Sequence, residues 1–394
     1  MFMALNQITT LSIAIALFLL GSFLVKRIGF LSKFCIPAPV VGGLLFALLA
    51  TLLKTTGTLE IALDTSLQSL FMITFFTTIG LGASFKLVKL GGKLLVIYWI
   101  ACGFLALMQN VIGVSLAQLM NIHPLLGVMA GAVSMEGGHG AAAAYGETIE
   151  SLGVSSALSV GMAAATCGLV AGGLIGGPVI QYLIRKYNLK PSSDETEEYV
   201  EKAQKPISEK SFMAQVFLIT FCMAAGTYVG EWFTSITGFV LPGYVGAMFV
   251  AVIVRNIIDR TKPELINMKE INLIGDISLS IFLSMALMNI KLWEIADLAL
   301  PLFVIILAQV IFIVLFAVFV LFRLLGKDFD AAIMVAGFLG HGLGATPNAM
   351  ANMAAVVSKF GPSRKAFLIV PIVGAFLIDV FGVPIIITTI NLFK

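Results

Sequence analysis

Between Leu94 and Met135 the chain carries no lysine, arginine, aspartate or glutamate, and the same is true of Ser151 to Ile184 and of Leu298 to Phe322. Runs this long and apolar suit helices that cross a lipid bilayer, which takes about 20 residues each. A bilayer permits only helices or closed barrels, because backbone N–H and C=O groups left unpaired in hydrocarbon are too costly. The overall balance agrees: 59% hydrophobic and 11% charged residues with a mean hydropathy of +1.04. An ordinary soluble domain has about a quarter of its residues charged, so that class is excluded.

Ten spans are expected, near 8–25, 36–53, 65–82, 94–119, 155–184, 212–233, 241–254, 274–290, 298–322 and 366–390. The first run, Ile8 to Val25, has no basic residue before it and no small-residue cleavage pattern, so it reads as a retained helix. With both termini and loop 54–64 outside and the central linker cytoplasmic, all 24 basic residues except Lys54, Lys291 and Lys394 face the cytoplasm. The net charge of +3 follows from that topology and, spread over many short loops, gives no footprint for nucleic acid. Cys35, Cys102, Cys167 and Cys222 stand singly in or beside apolar segments, as expected of free buried thiols.

The extended hydrophilic stretch over 187–211 has the composition of a solvated linker and divides the chain into halves 1–186 and 212–394. Glycine and proline punctuation repeats across it: Pro37 aligns with Pro242, Gly80-Leu81 with Ala286-Leu287, Gly140-Ala141 with Gly344-Ala345, and Pro178 with Pro384. Five spans per half is an odd number, so the second half enters the bilayer in the opposite sense. The fold class expected is an all-α polytopic membrane protein of two inverted five-helix repeats.

Each half is interrupted at a matching place by a glycine-rich polar segment, Ser134 to Ala141 and Gly340 to Asn348. Paired broken segments in a repeated membrane chain point to a transporter's binding site. The expectation is a re-entrant hairpin over about 124–148, entering from outside, and another over about 329–358, entering from the cytoplasm, with tips meeting near the midplane. His123 to Met135 as a helix would reach roughly 20 Å, about two-thirds of the hydrocarbon thickness.

At each tip a half-helix begins with free N–H groups that favour an anion. The tip residues Gly137, Gly138, His139, Gly140, Gly342, Gly344 and Ala345, with Thr346 and Asn348, are therefore candidates for binding substrate carboxylates. Thr346 followed by Pro347 reads as an N-cap with proline in the first turn. Carbonyls released at the half-helix ends, with hydroxyl and amide oxygens, suit a hard monovalent cation such as sodium. Ser134, Glu136, Gln109, Asn110, Thr346 and Asp379 are the candidates for it, although mid-span amides such as Gln109, Asn110 and Gln309 serve helix packing as readily. Asp379 stands alone in the last span, where an ionised carboxylate costs on the order of 3 kcal/mol, so a bound cation, a substrate ammonium or neighbouring hydroxyls must offset it. His139 and His341 lack the neighbouring ligands a zinc centre needs, and the glycine pairs at 172–173 and 176–177 read as close helix packing.

At Ile36 to Gly43, Met108-Gln109-Asn110, Gly137 to Gly140, Gly172 to Pro178, Gly342 to Pro347 and Gly374 to Asp379, the chain resembles the sodium/glutamate symporter family, bacterial inner-membrane carriers related in fold to sodium/citrate carriers. The resemblance runs over nearly the whole length. It implies two five-helix repeats with re-entrant loops, an elevator-type movement of a substrate-bearing part against a scaffold, a homodimer among membrane lipids, and sodium as coupling ion with no organic cofactor. Ala141 and Glu136 depart from the pattern, in which a hydroxyl follows the first glycine tip and a small residue precedes it.

The reading is a secondary active transporter, not an enzyme, for glutamate or a closely related acidic amino acid, driven by sodium. A sodium- or proton-coupled carrier of another di- or tricarboxylate is the nearest rival. A channel would need a continuous polar stripe along several spans. A membrane enzyme built on Glu136, His139, His341 and Asp379 would need a nucleophile and base at recognisable spacing.

Overall fold

A computed structural model describes residues 2–33, 36–191, 208–238, 241–290, 298–344 and 346–394. Cys35, Lys291, Ala345 and most of the hydrophilic linker lie outside the described residues. Ten helical regions stand at the expected spans. In the first half they are α1 (Gln7–Arg27), α2 (Ala38–Thr55), α3 (Gln68–Gly82) and α4 (Phe85–Leu119), then, after the first interruption described below, one more.

The first interruption comprises α5 (Pro124–Val128), a π-helical stretch over Met129–Val133, and α6 (Gly138–Ser151), and leads into α7 (Ala157–Tyr187). The second half holds α8 (Glu209–Thr237), α9 (Gly243–Thr261), α10 (Met268–Met288) and α11 (Ala299–Phe316), the last continuing through a π-helical stretch to Leu324. Then come α12 (Phe329–His341) and α13 (Thr346–Phe360), followed by α14 (Arg364–Ile372), a third π-helical stretch over Val373–Leu377, and α15 (Ile378–Phe393).

Seven of these helices are long and apolar enough to cross a membrane. The other three spans have local reasons to fall short. Helix α3 has 15 residues, α9 carries Arg255, Asp259 and Arg260 in its last turns, and the final span is broken into α14 and α15. One feature lies outside an all-helical expectation: Phe2–Leu5 and Glu60–Leu63 pair as short parallel strands, at the entry to α1 and beyond the exit of α2.

The chain forms two compact units, each drawing on both sequence halves. The smaller, 66–90 with 196–282, packs α3, α8 and α9 around Leu81, Ile219, Cys222, Ala251 and Ile271. Gly80 lets α3 approach α9 closely, since a Cβ there would lie 2.3 Å from the Met248 carbonyl oxygen. Where α9 leaves its apolar part, Arg255 pairs with Asp259 at 3.1 Å, and Asp259 also accepts from Ser84. Burial would raise the Asp259 carboxyl, but the Ser84 and Arg255 hydrogen bonds and the Arg255 and Lys86 charges hold it below its ordinary 3.8.

The larger unit, 1–65, 91–195 and 283–394, contains both polar interruptions. Cys102 is buried there as expected. Cys167 is exposed, a correction to the expectation of four buried thiols, because it lies on the outer face of α7.

Candidate functional site

Helix α7 is the floor on which both interruptions rest. A Cβ at Gly168 would lie 2.6 Å from the Leu343 carbonyl oxygen and 2.9 Å from the Met135 sulfur. One residue of the first tip and one of the second therefore touch the same glycine. One turn on, a Cβ at Gly172 would meet the Asn348 amide nitrogen at 2.8 Å, and at Gly176 it would meet Asn352 at 2.2 Å. The small residues read from sequence as packing sites do pack, and they bring the second tip's amides onto α7.

The first interruption does not run as one straight helix to Met135. It passes into the π-helical turn at Met129, and Gly131 leaves helical geometry with φ −100° and ψ −131°. Backbone groups freed by that break find side-chain partners: the Ala132 N–H donates to Asn110 Oδ1 at 3.3 Å. Ser134 is fully buried and spends its hydroxyl on the carbonyls of Met129 and Gly161. Gly138 then turns the chain with φ +61°, a conformation that favours glycine, and α6 begins. Nε2 of His139 lies 2.9 Å from Thr166 Oγ1, and that hydroxyl donates to the Met162 carbonyl, so His139 is the donor to threonine.

The second interruption is a tighter helical hairpin. Asp328 caps α12 through the Ala331 N–H at 2.7 Å, as the expected start near Phe329 requires. Asp330 ties the base of the hairpin to the next segment, accepting from Ser363 at 2.7 Å and pairing with Lys365 at 3.1 Å. At the tip the Gly342 carbonyl accepts from Gln109 Nε2 at 2.7 Å, and the Gln109 carbonyl accepts from Gln309 Nε2 at 2.8 Å. The Thr346 hydroxyl, expected to cap α13, sends its proton to the Gly374 carbonyl at 2.8 Å in the π-helical stretch before Asp379. Asn348 and Asn352, one turn apart on α13, donate to the carbonyls of Leu169 and Gly172, each at 3.1 Å.

Helix α4 lies across both tips. Its fully buried face carries Tyr98, Cys102, Leu105 and Gln109. Tyr98 meets Phe338 of α12 edge to face at 5.8 Å. Leu105 would touch a Cβ added at Gly342. Trp99 donates its indole N–H to the Leu377 carbonyl at 2.6 Å and packs at a tilt against Phe381, fixing the segment that carries Asp379.

Among the sequence candidates, the structure brings Ser134, His139, Gly344 and Asn348 against α7, sets the Gln109 amide on the Gly342 carbonyl and turns Thr346 onto Gly374. Asn110 faces the broken first helix and Thr389, 3.2 Å away. Glu136 is buried. Thr166, Asn352, Gly374 and the π-helical turn before Asp379 were not legible in sequence, since a lone threonine among alanines and glycines carries no pattern. The same is true of a π-bulge, although such bulges recur at functional sites.

Several acceptors remain over. Oε1 of Gln109, Gln309 and Glu136 and Nδ1 of His341 are buried without a partner. No cluster of histidine, cysteine and carboxylate suited to a transition metal occurs among the described residues. Oxygen-rich leftovers beside helix N-termini are the chemistry of a hard cation held next to an anion.

The family profile described as sodium/glutamate symporter matches residues 3–362. The chain is 43% identical to the sodium/glutamate symporter of Escherichia coli K12 over 383 residues, covering 95% of each chain. It is also 43% identical to that of Haemophilus influenzae over 382 residues, covering 95% of this chain and 94% of the relative. A sodium proton antiporter from Methanocaldococcus jannaschii superposes on 97% of this chain and 95% of its own with a TM-score of 0.45 at 16% identity. The chain belongs to the sodium/glutamate symporter family.

Proposed function

We propose that this multi-pass membrane protein carries glutamate inward together with sodium, holding both where the two helical tips converge on α7. The observation that carries the reading is Gly168, whose missing side chain admits the first tip through Met135 and the second through Leu343. The N-terminal N–H groups of α6 and α13, with Thr346 and Asn348, bind the substrate carboxylates. Asp379 faces the substrate ammonium. Sodium is held among tip carbonyls and the leftover amide oxygens beside the second tip, Gln109 Oε1 of α4 among them. Moving one negative charge inward against 100 mV costs about 2.3 kcal/mol, and one accompanying cation cancels that cost.

The inverted repeat places the two hairpins in opposite senses. Supporting it, Pro37 and Pro242 precede α2 and α9, and His123 and Asp328 cap the two hairpins through side-chain acceptors. The left-handed residues Ser156 and Gly361 follow each hairpin at the same spacing as that pair of caps. Pairing of Phe2–Leu5 with Glu60–Leu63 supports an N-terminus and loop 54–64 on one side, read as outside. The two compact units are the natural parts of an elevator, the one with both tips carrying substrate. Homodimeric assembly is checked by the mass of the detergent-solubilised protein.

The test is uptake of radiolabelled glutamate into proteoliposomes with sodium, proton and potassium gradients imposed separately. Accumulation under an inward sodium gradient supports the reading. Equal accumulation without sodium refutes it.

A further inference from the structure

Arg185 is the first charged residue after the uncharged run Ser151 to Ile184, and Arg323 is the first after Leu298 to Phe322. Each therefore marks the level at which its helix leaves hydrocarbon, α7 in one case and the continuation of α11 in the other. The structure sets these two exits side by side. The rings of Tyr187 and Phe322 lie 5.4 Å apart, and beyond Leu324 the chain turns back so that the Lys327 N–H donates to the Phe322 carbonyl at 3.1 Å. Arg185, Lys186, Arg323 and Lys327, at these joined ends, are all exposed, and among the described residues none of them forms an ion pair. Asp328, the acidic group next to them in the chain, is engaged as the cap of α12.

Aromatic groups orient Lys186 instead. Its ammonium donates to the Tyr182 hydroxyl at 2.9 Å and stands 5.1 Å from the Tyr182 ring and 5.7 Å from the Tyr187 ring. Those contacts keep the charge against the helix surface. Leu174, Pro178 and Tyr182 precede it at four-residue steps on the same face of α7, all exposed, and Leu324 is exposed on the adjoining end. An apolar stripe thus leads directly into a cluster of cations that lack counter-charges. A small phosphate compound would satisfy the cations and ignore the stripe. An anionic phospholipid has a part for each, acyl chains for the stripe and a phosphodiester for the cations, and basic clusters at a membrane surface recognise such headgroups.

We propose that the joined ends of α7 and α11 bind one anionic phospholipid. Lys186 and Arg323 hold its phosphodiester, with Arg185 and Lys327 around it, and one acyl chain lies along Leu174, Pro178 and Tyr182. The site lies well beyond Gly176 on α7, and it stands whichever solute the tips carry.

The test adds phosphatidylglycerol, phosphatidylcholine or glycerol 3-phosphate to delipidated protein in detergent. Native mass spectrometry should show one phosphatidylglycerol retained per protomer, with a raised melting temperature, and phosphatidylcholine should give neither. Glycerol 3-phosphate should give no shift; a shift equal to that of the lipid would assign the cations to a soluble phosphate and overturn the proposal. In Lys186→Gln with Arg323→Gln the affinity for phosphatidylglycerol is expected to fall by about tenfold or more. Arg260→Gln with Lys262→Gln, an exposed basic pair at the end of α9, should keep wild-type binding. Equal retention of the two lipids, or equal loss in the two double variants, overturns the proposal. A further measurement needs no variant: in phosphatidylcholine proteoliposomes doped with a photoreactive phosphatidylglycerol, labelling should fall within 174–187 or 322–327. Labelling confined to other segments overturns the proposal.

Discussion

The two helical tips are built from the same kind of interruption, yet they are finished differently. The second has its polar groups tied into the surrounding helices: Gln109 holds the Gly342 carbonyl, Thr346 holds Gly374, and Asn348 holds Leu169. The first spends Ser134 and His139 in the same way but leaves Glu136 buried with an open oxygen. Those hydrogen bonds hold the second tip in place, although Gln109 Oε1 and His341 Nδ1 beside it also stay open. An unsatisfied buried acceptor costs free energy until a ligand supplies the missing positive charge. The second tip is thus the more tightly fastened of the two, and the first carries the buried acidic group, Glu136.

The largest effect that would break this division is at Asp379. On the proposed reading Asp379→Asn removes the charge that faces the substrate ammonium, and losing one member of a buried pair costs about 3 kcal/mol. At 1.4 kcal/mol per factor of ten that is roughly a hundredfold in sodium-driven uptake, with the elution profile of the folded protein unchanged. Undiminished uptake would remove Asp379 from the mechanism.

Next in size is the meeting point itself. Gly168→Ala places a Cβ against a backbone oxygen that cannot step aside, an overpacking cost of about 1–3 kcal/mol. A lower melting temperature in detergent and loss of uptake are expected. Gly177→Ala, on the same helix with open space around it, is the matched control and should leave both unchanged.

The two asparagines of α13 sharpen the comparison further. Asn348→Ala and Asn352→Ala each lose one buried hydrogen bond, about 1 kcal/mol of stability. Only Asn348 lies at the tip, so only its variant should raise the KM for glutamate, by roughly fivefold for 1 kcal/mol. Equal KM values in the two variants would detach Asn348 from the substrate.

How much of this was legible beforehand differs between the regions. The spans followed from uncharged length, and the tips from glycine clusters at matching places, because a bilayer penalises charge and irregular backbone anywhere else. What resisted reading was the partner of each tip residue. His139 meets Thr166, Thr346 meets Gly374, and the amides of α13 meet carbonyls of α7 about 180 residues away in sequence. A hydrogen bond to a backbone carbonyl leaves no trace in the identity of the accepting residue. The grouping of α3, α8 and α9 into their own compact unit was equally hidden, since long-range packing among apolar helices is written in shape and not in residue type.

The smallest effect lies in that separate unit and leaves the tips untouched. Asp259 is held below its ordinary 3.8, so its contribution to stability is fully present above that value and is lost as pH falls through the lowered one. Thermal melting of wild type should exceed that of Asp259→Asn by a constant margin at neutral pH, and the margin should close only below about pH 4. A margin already closing near pH 6 would contradict the assignment.

The most direct test of the convergence of the tips is a double-cysteine variant, Met135→Cys with Leu343→Cys, in a background where the four native cysteines are replaced. Oxidation in native membranes should join the two positions readily, because both residues flank Gly168, and glutamate together with sodium should slow the reaction by occupying the space between the tips. No cross-link under any condition, or a cross-link whose rate ignores glutamate and sodium, would contradict the account.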